Sequence, residues 1–183
     1  MPCCATSGTK VSPSSRTLRK TSNAAKDRAV AVSEIDTVIC ETVIAAQPET
    51  VFAFFTEPEL YTRWMGARAR LDPRPGGTYA VDINQVALAR GTFLEVIPHS
   101  RVVFTFGWEG DDQPLGPGAS TVEVTLTPIA AGTHVRLVHR GLRVSEVRDQ
   151  HREGWQLYLG RLGASISGGD PGPDPNANPP REE

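Results

Sequence analysis

The sequence predicts an α+β fold in which a curved antiparallel sheet of about six or seven strands encloses a cavity together with two short helices and a long C-terminal helix. Three observations predict it. Two-residue alternation of apolar and polar side chains begins after Gly77 and persists to Arg140; two short helical patterns carrying Tyr61 and Trp64 precede it; one long helical pattern carrying Trp155 and Tyr158 follows it.

The elements follow in chain order. From Asp36 to Ala45 the chain reads as a strand, with Val38, Cys40 and Ile44 on one face and Glu41 opposite. Gln47-Pro48 ends it, and proline at a first helical position opens a short helix to Phe55 with Val51, Phe52 and Phe55 as its stripe. Thr56 and Glu59 have capping-box spacing, Pro58 suits a first turn, and Gly66 supplies a left-handed stop, so a second helix is expected with Leu60, Tyr61 and Trp64 on one side. Pro73-Arg74-Pro75-Gly76-Gly77 is a turn. Beyond it Tyr79, Val81 and Ile83 alternate with Ala80, Asp82 and Asn84, Arg90 to Ile97 is apolar on both faces, and Val102, Phe104, Phe106 and Trp108 share a face. Val122, Val124 and Leu126 alternate next, and Thr133 to Arg140 is the last strand, with Val135, Leu137 and His139 facing one way.

The final helix is expected from Ser145, read as its N-cap, to about Ser167, before Gly168-Gly169. Val147, His151, Trp155, Tyr158, Leu162 and Ile166 recur on its apolar face at spacings of three and four. A helix this long needs a large apolar surface, and the concave face of the sheet is the partner available. The order strand, two helices, strands, long helix is the helix-grip arrangement.

Composition bounds the rest. With 183 residues, 39% of them hydrophobic, the chain holds one core, expected over residues 34–167. Residues 1–33 carry six Lys or Arg and one acid, including every lysine, while the remainder is acidic; this basic part is expected to be a disordered tail, and the change near Val30 to mark an upstream extension of the reading frame. Residues 168–183, dense in proline and glycine, are expected to form a second disordered tail. The acidic balance of the body argues against a nucleic-acid groove, and no apolar run reaches the length of a membrane span. Three cysteines, Cys3, Cys4 and Cys40, make no disulfide framework, so a cytoplasmic location is expected.

Six motifs in order carry a family resemblance. They are Pro48-Glu49-Thr50-Val51-Phe52 with Phe55-Thr56-Glu57-Pro58; Arg63-Trp64-Met65-Gly66; Arg74-Pro75-Gly76-Gly77; Gly91 to Pro98 with Val103-Phe104-Thr105-Phe106; His139-Arg140-Gly141-Leu142; and His151-Arg152-Glu153-Gly154-Trp155. Over residues 36–167 the chain resembles the superfamily of START-related lipid-transfer domains, aromatic polyketide cyclases and birch-pollen-allergen-like proteins (SRPBCC). Within it the chain is most similar to bacterial relatives of the C-terminal domain of the activator of the ninety-kilodalton heat-shock protein ATPase. The resemblance implies the helix-grip fold and a cavity. Relatives often carry two tryptophans where this chain has Trp64-Met65, which implies a softer rim here.

The cavity walls are expected to come from Trp64, Tyr79, Phe93, Phe104, Phe106, Trp108, His139, His151, Trp155 and Tyr158, aromatic side chains that bound a space while also forming core. Glu95, His139 and His151 are the proton-transfer candidates, because desolvation in a cavity moves such groups toward use as acid or base. Alternation groups Glu95 with Phe93 and Ile97, but Thr92, Leu94 and Val96 make a comparably apolar face, so its direction stays open; Asp82 and Asn84 are expected on an outer face. No HxH, HExxH or P-loop pattern is present, so no metal or cofactor is expected. The first expectation for function is binding of a small hydrophobic or aromatic ligand. The alternatives are a cofactor-free cyclase, dehydratase or hydrolase, and a chaperone-activator-like module that binds a protein partner.

Overall fold

The computed structural model describes residues 36–111 and 113–177. The expectations for residues 1–33 and for the last six residues of the chain lie outside the described residues. Seven strands form one antiparallel sheet: β1 (Thr37–Ile44), β2 (Arg68–Leu71), β3 (Thr78–Asp82), β4 (Leu88–Ile97), β5 (Arg101–Phe106), β6 (Ser120–Ile129) and β7 (Gly132–Arg140), in the order β1-β7-β6-β5-β4-β3-β2. Helices α1 (Pro48–Thr56) and α2 (Pro58–Tyr61) interrupt the sheet after β1, and α3 (Ser145–Ile166) closes the fold. This is the expected α+β helix-grip architecture.

One sheet face carries the core. Val38, Val122 and His139 meet across three neighbouring strands, in the register Val38↔His139 and Val122↔His139. Val102, Phe104 and Phe106 are buried along β5 and Tyr79 and Val81 along β3, as alternation requires when one face packs and the other meets water. Removing that face from water is the principal driving force for the fold.

The alternation breaks in β4. Phe93 pairs with Phe104, yet Glu95 pairs with Val103, so a register shift lies between them. A bulge of this kind inserts one residue and turns the following side chains over. Phe93 therefore stays inside at 0% exposure, while Glu95 emerges on the outer face. There it pairs with Arg101, which also bonds Glu123 at 2.6 Å; Arg140 reaches the other Glu123 oxygen at 2.9 Å. Burial raises the Glu123 pKa, but the hydrogen bonds and charges of Arg140 and Arg101 outweigh it and leave the carboxyl below its ordinary value.

Several local expectations are corrected. The Thr56 hydroxyl donates back to the Phe52 carbonyl at 3.0 Å and ends α1 instead of capping α2, whose N-cap is Glu57. Val144, not Ser145, is the N-cap of α3, and the Ser145 hydroxyl bonds the Glu146 carboxylate. Gly66 does adopt the left-handed conformation, at φ 78°. A Cβ there would lie 2.9 Å from the Asp82 carbonyl oxygen.

Residues 168–177, after α3, make hydrogen bonds to the body of the domain. Arg161, on α3 and only 9% exposed, donates from Nε to the Trp64 carbonyl at 2.9 Å. Its Nη1 and Nη2 reach the carbonyls of Pro171, Gly172 and Pro173 at 3.0 to 3.1 Å. Asp174 accepts from the Gly66 amide at 3.0 Å and from the Tyr158 hydroxyl at 3.2 Å. Proline removes N–H donors from this segment but keeps every carbonyl, and a guanidinium fork is suited to such an acceptor-rich chain. One buried arginine thus gathers the carbonyls of this segment as a strap against α3.

Candidate functional site

A hollow of about 410 Å³ lies where α3 crosses the sheet near the ends of β3 and β5. Helix α3 contributes Gln150, His151, Gly154, Trp155 and Tyr158 to its wall. Phe106 and Trp108 come from the end of β5 and the residues after it, and Ile83, Asn84 and Ala87 from the β3–β4 turn. Met65 adds a flexible thioether, and Pro175 and Asn176 bring the strap to the mouth. Among the described residues of the wall, none is Asp, Glu, Lys or Arg.

The ten expected cavity residues divide into two sets. Phe106, Trp108, His151, Trp155 and Tyr158 line the hollow. Trp64, Tyr79, Phe93 and Phe104 do not; they fill the interior, each 2% exposed or less. Tyr79 stacks on Phe104 with ring centroids 4.1 Å apart, Phe93 meets both edge-on at 5.9 Å, and the Tyr61 and Tyr79 hydroxyls bond at 2.8 Å. Desolvation by burial pushes both of these phenols above their ordinary value. Trp64 is held by its indole N–H to the Phe54 carbonyl at 3.0 Å.

His139, the remaining member, lies behind the wall with 0% exposure. An indole N–H only donates and a carbonyl oxygen only accepts, so the proton positions are fixed by chemistry. Trp155 Nε1–H donates to His139 Nδ1 at 3.0 Å, His139 Nε2–H donates to Ser120 Oγ at 2.7 Å, and Ser120 donates to the Phe106 carbonyl at 2.8 Å. Burial, and secondarily the nearby His151, holds the His139 pKa well below the usual histidine value. The ring is neutral, both nitrogens are engaged, and it acts as a strut that orients Trp155.

His151 is arranged differently. Its Nδ1 lies 2.7 Å from the Val147 carbonyl, so Nδ1 carries the proton. Its ring packs edge-on against Phe106 at 5.8 Å and His139 at 5.0 Å. Nε2 is shielded from solvent and has no partner. Desolvation by burial lowers the pKa of this ring, opposed by the bond to Val147.

Asn84, Asn176 and Tyr158, also on the wall, are linked by hydrogen bonds. Asn84, expected on an outer face, accepts from the amides of Val86 and Ala87 and donates to the Asn176 carbonyl at 2.7 Å. Asn176 donates to the Tyr158 hydroxyl at 3.1 Å, and burial pushes the Tyr158 pKa up to about 12. Asp82 forms an ion pair with Arg90 at 2.8 Å. Glu95 is remote from this wall, on the outer sheet face. No group of three or more His, Cys, Asp or Glu side chains suited to a metal occurs among the described residues. Among those residues no helix is long and apolar enough to cross a membrane. Cys40 is a buried free thiol whose pKa is raised by burial, as a structural cysteine's is.

A curved sheet gripping a helix over a partly aromatic hollow defines a protein of the START-like and polyketide-cyclase-like class. The family model described as activator of Hsp90 ATPase homolog 1-like protein matches residues 45–166, and the chain belongs to that family. An AHSA1-like protein from Rhizobium etli, known from a solution structure, is 44% identical, with 80% of this chain and 91% of that one covered and a TM-score of 0.63. CalU16 from Micromonospora echinospora is 27% identical, covering 72% of this chain and 76% of its own, with a TM-score of 0.59. DynU16, a protein of the dynemicin biosynthetic locus, shares the fold at 23% identity and a TM-score of 0.66, covering 74% of this chain and 49% of that one. Among curated proteins none matches the chain.

Proposed function

We propose that this protein binds a small, uncharged, hydrophobic or aromatic molecule in the hollow between α3 and the sheet. The observation that carries the reading is the wall itself: Phe106, Trp108, Trp155, Ile83 and Met65 around a space of about 410 Å³, without a charged side chain among the described residues. Such a surface gains by excluding water and offers no counter-charge to an ionic occupant. The strap supports a bounded site, since Pro175 and Asn176 are held at its mouth through Asp174 and Arg161.

Binding without chemistry is the first reading. Glu95 lies in an outer ion-pair ladder and both His139 nitrogens are engaged, so acid–base catalysis in the hollow would rest on His151 alone. Native mass spectrometry after mild purification tests the proposal. A small uncharged molecule that travels with the folded protein and leaves on denaturation is expected. A bare protein mass, together with failure to take up the neutral probe N-phenyl-1-naphthylamine, would contradict it.

A further inference from the structure

Strand β2 ends the sheet, with β3 on one side of it and, among the described residues, no strand on the other. The Asp72 amide donates to the Thr78 carbonyl at 2.9 Å, and the Ala67 amide to the Asp82 carbonyl at 2.8 Å. Ladder alternation then turns the amides and carbonyls of Arg68 and Arg70 toward β3 and those of Ala69 and Leu71 toward the open edge. Side chains alternate between the two faces: Ala69 and Leu71 pack against the core, while Arg68 and Arg70 stand exposed on the outer face.

Both arginines are uncompensated. Among the described residues neither guanidinium has an ion pair or a hydrogen bond. The neighbouring acids are already engaged: Asp82 and Glu109 each hold Arg90 at 2.8 Å, and Asp72 holds Arg74 at 2.9 Å. Arg68, Arg70 and Arg90 line one depression of about 470 Å³, and Ala80, which stands between Arg70 and Arg90 in register, adds only a methyl group to it. Two like charges on a short open edge repel a second copy of that edge, which is how sheets avoid pairing with themselves. The same sign attracts a strand that carries acids.

We infer that the open edge of β2 is a docking site for an acidic, extended segment of a partner protein, which adds an antiparallel strand to the sheet. Its backbone bonds the amides and carbonyls of Ala69 and Leu71, and acidic side chains two residues apart pair with Arg68 and Arg70. Backbone bonds supply the strand geometry, and charge selects the partner. No residue of β2 belongs to the wall of the hollow, so this interface is separate from the binding function proposed above.

NMR titration of the full chain with the peptide acetyl-Glu-Val-Glu-Val-Glu-amide at low ionic strength tests this. The backbone amides of Ala69 and Leu71 and the Nε–H resonances of Arg68 and Arg70 are expected to shift together. In the Arg68→Gln, Arg70→Gln double variant the peptide is expected to bind about fivefold more weakly, the size of two exposed ion pairs, with uptake of N-phenyl-1-naphthylamine by the hollow unchanged. Methylating both valine nitrogens removes the donors that face β2 and is expected to abolish binding. Methylating the central glutamate nitrogen, which faces away, is expected to be tolerated. No shift at Ala69 and Leu71 with millimolar peptide would overturn the inference. So would equal binding by acetyl-Lys-Val-Lys-Val-Lys-amide or by the N-methylvaline peptide, or an affinity unchanged in the double variant. Shifts at Ala69 and Leu71 that grow with protein concentration in the absence of peptide would give the edge to a second copy and overturn it as well.

Discussion

Phe104 and Phe106 sit two residues apart on β5 and point to the same side of the sheet, yet their surroundings differ. Phe104 is stacked on Tyr79, edged by Phe93 and 2% exposed. Phe106 meets Trp108, His151 and Trp155 at ring-centroid distances of 5.2 to 6.0 Å and also borders the hollow. The difference lies in what faces each ring. Around Phe104 the neighbouring strands supply large aromatics; the hollow is bordered instead by Ala87 in the β3–β4 turn and Gly154 on α3, small residues that leave volume unfilled. Stability should therefore concentrate in the first group and binding in the second.

The sharpest separation comes from truncating one member of each. Phe104→Ala is expected to cost about 3–5 kcal/mol in denaturant unfolding, as for other large aromatics in filled cores. Trp108→Ala, half-buried at the rim, is expected to cost about 1 kcal/mol or less and to weaken uptake of a neutral aromatic probe instead. Equal losses of stability would break the comparison.

His139→Leu removes the strut behind the wall and leaves the Trp155 indole N–H without its acceptor, at a cost of about 1–3 kcal/mol. The same ring sets a pH dependence. Its folded pKa is depressed below the ordinary 6.5, so the unfolded chain takes up the proton first. Its stabilising contribution is complete above that value and declines as pH falls below it, toward the folded pKa. Unfolding measured at pH values on either side of 6.5 should show this decline, and His139→Leu should flatten it. A slope unchanged by the substitution would place the titration elsewhere.

Smaller effects distinguish the strap and the outer face. Asp174→Ala removes the acceptor for the Gly66 amide and the Tyr158 hydroxyl, at about 1 kcal/mol, and should speed hydrogen exchange at Gly66 and release of a bound probe. Glu95→Gln weakens one exposed ion pair with Arg101 and is expected to change stability by well under about 1 kcal/mol, with probe affinity unaltered. A loss of affinity there would return Glu95 to the site.

Much of this was legible in the sequence because periodicity reports burial directly. The alternation of Val102, Phe104 and Phe106 and the three-and-four spacing of Val147, His151, Trp155 and Tyr158 each identified a face that the structure buries or turns to the hollow. Direction failed where register changes: the bulge between Phe93 and Glu95 has no side-chain signature, so alternation alone could not send Glu95 outward. Periodicity also cannot distinguish an aromatic that fills space from one that borders it, which is why Tyr79 and Phe93 were grouped with Trp155. The contacts of the strap have no sequence pattern of their own, because Pro171, Gly172 and Pro173 offer backbone carbonyls and the residue that gathers them, Arg161, is a single charge next to Leu162 on α3. Asn84 was placed by extending the β3 alternation past Asp82, where the strand ends and a turn begins.

The claim that a hollow beside α3 is the binding site is tested most directly by filling it. Gly154 lies on its wall within α3, and a Cβ built there has no heavy atom within 4 Å. Gly154→Leu also replaces a poor helix former with a good one, a gain of about 0.5–1 kcal/mol in helix propensity. Titration of this variant with N-phenyl-1-naphthylamine, alongside its thermal unfolding, should give lost probe binding with stability equal to or above that of the unsubstituted protein. Full probe affinity in a folded Gly154→Leu variant would contradict the account.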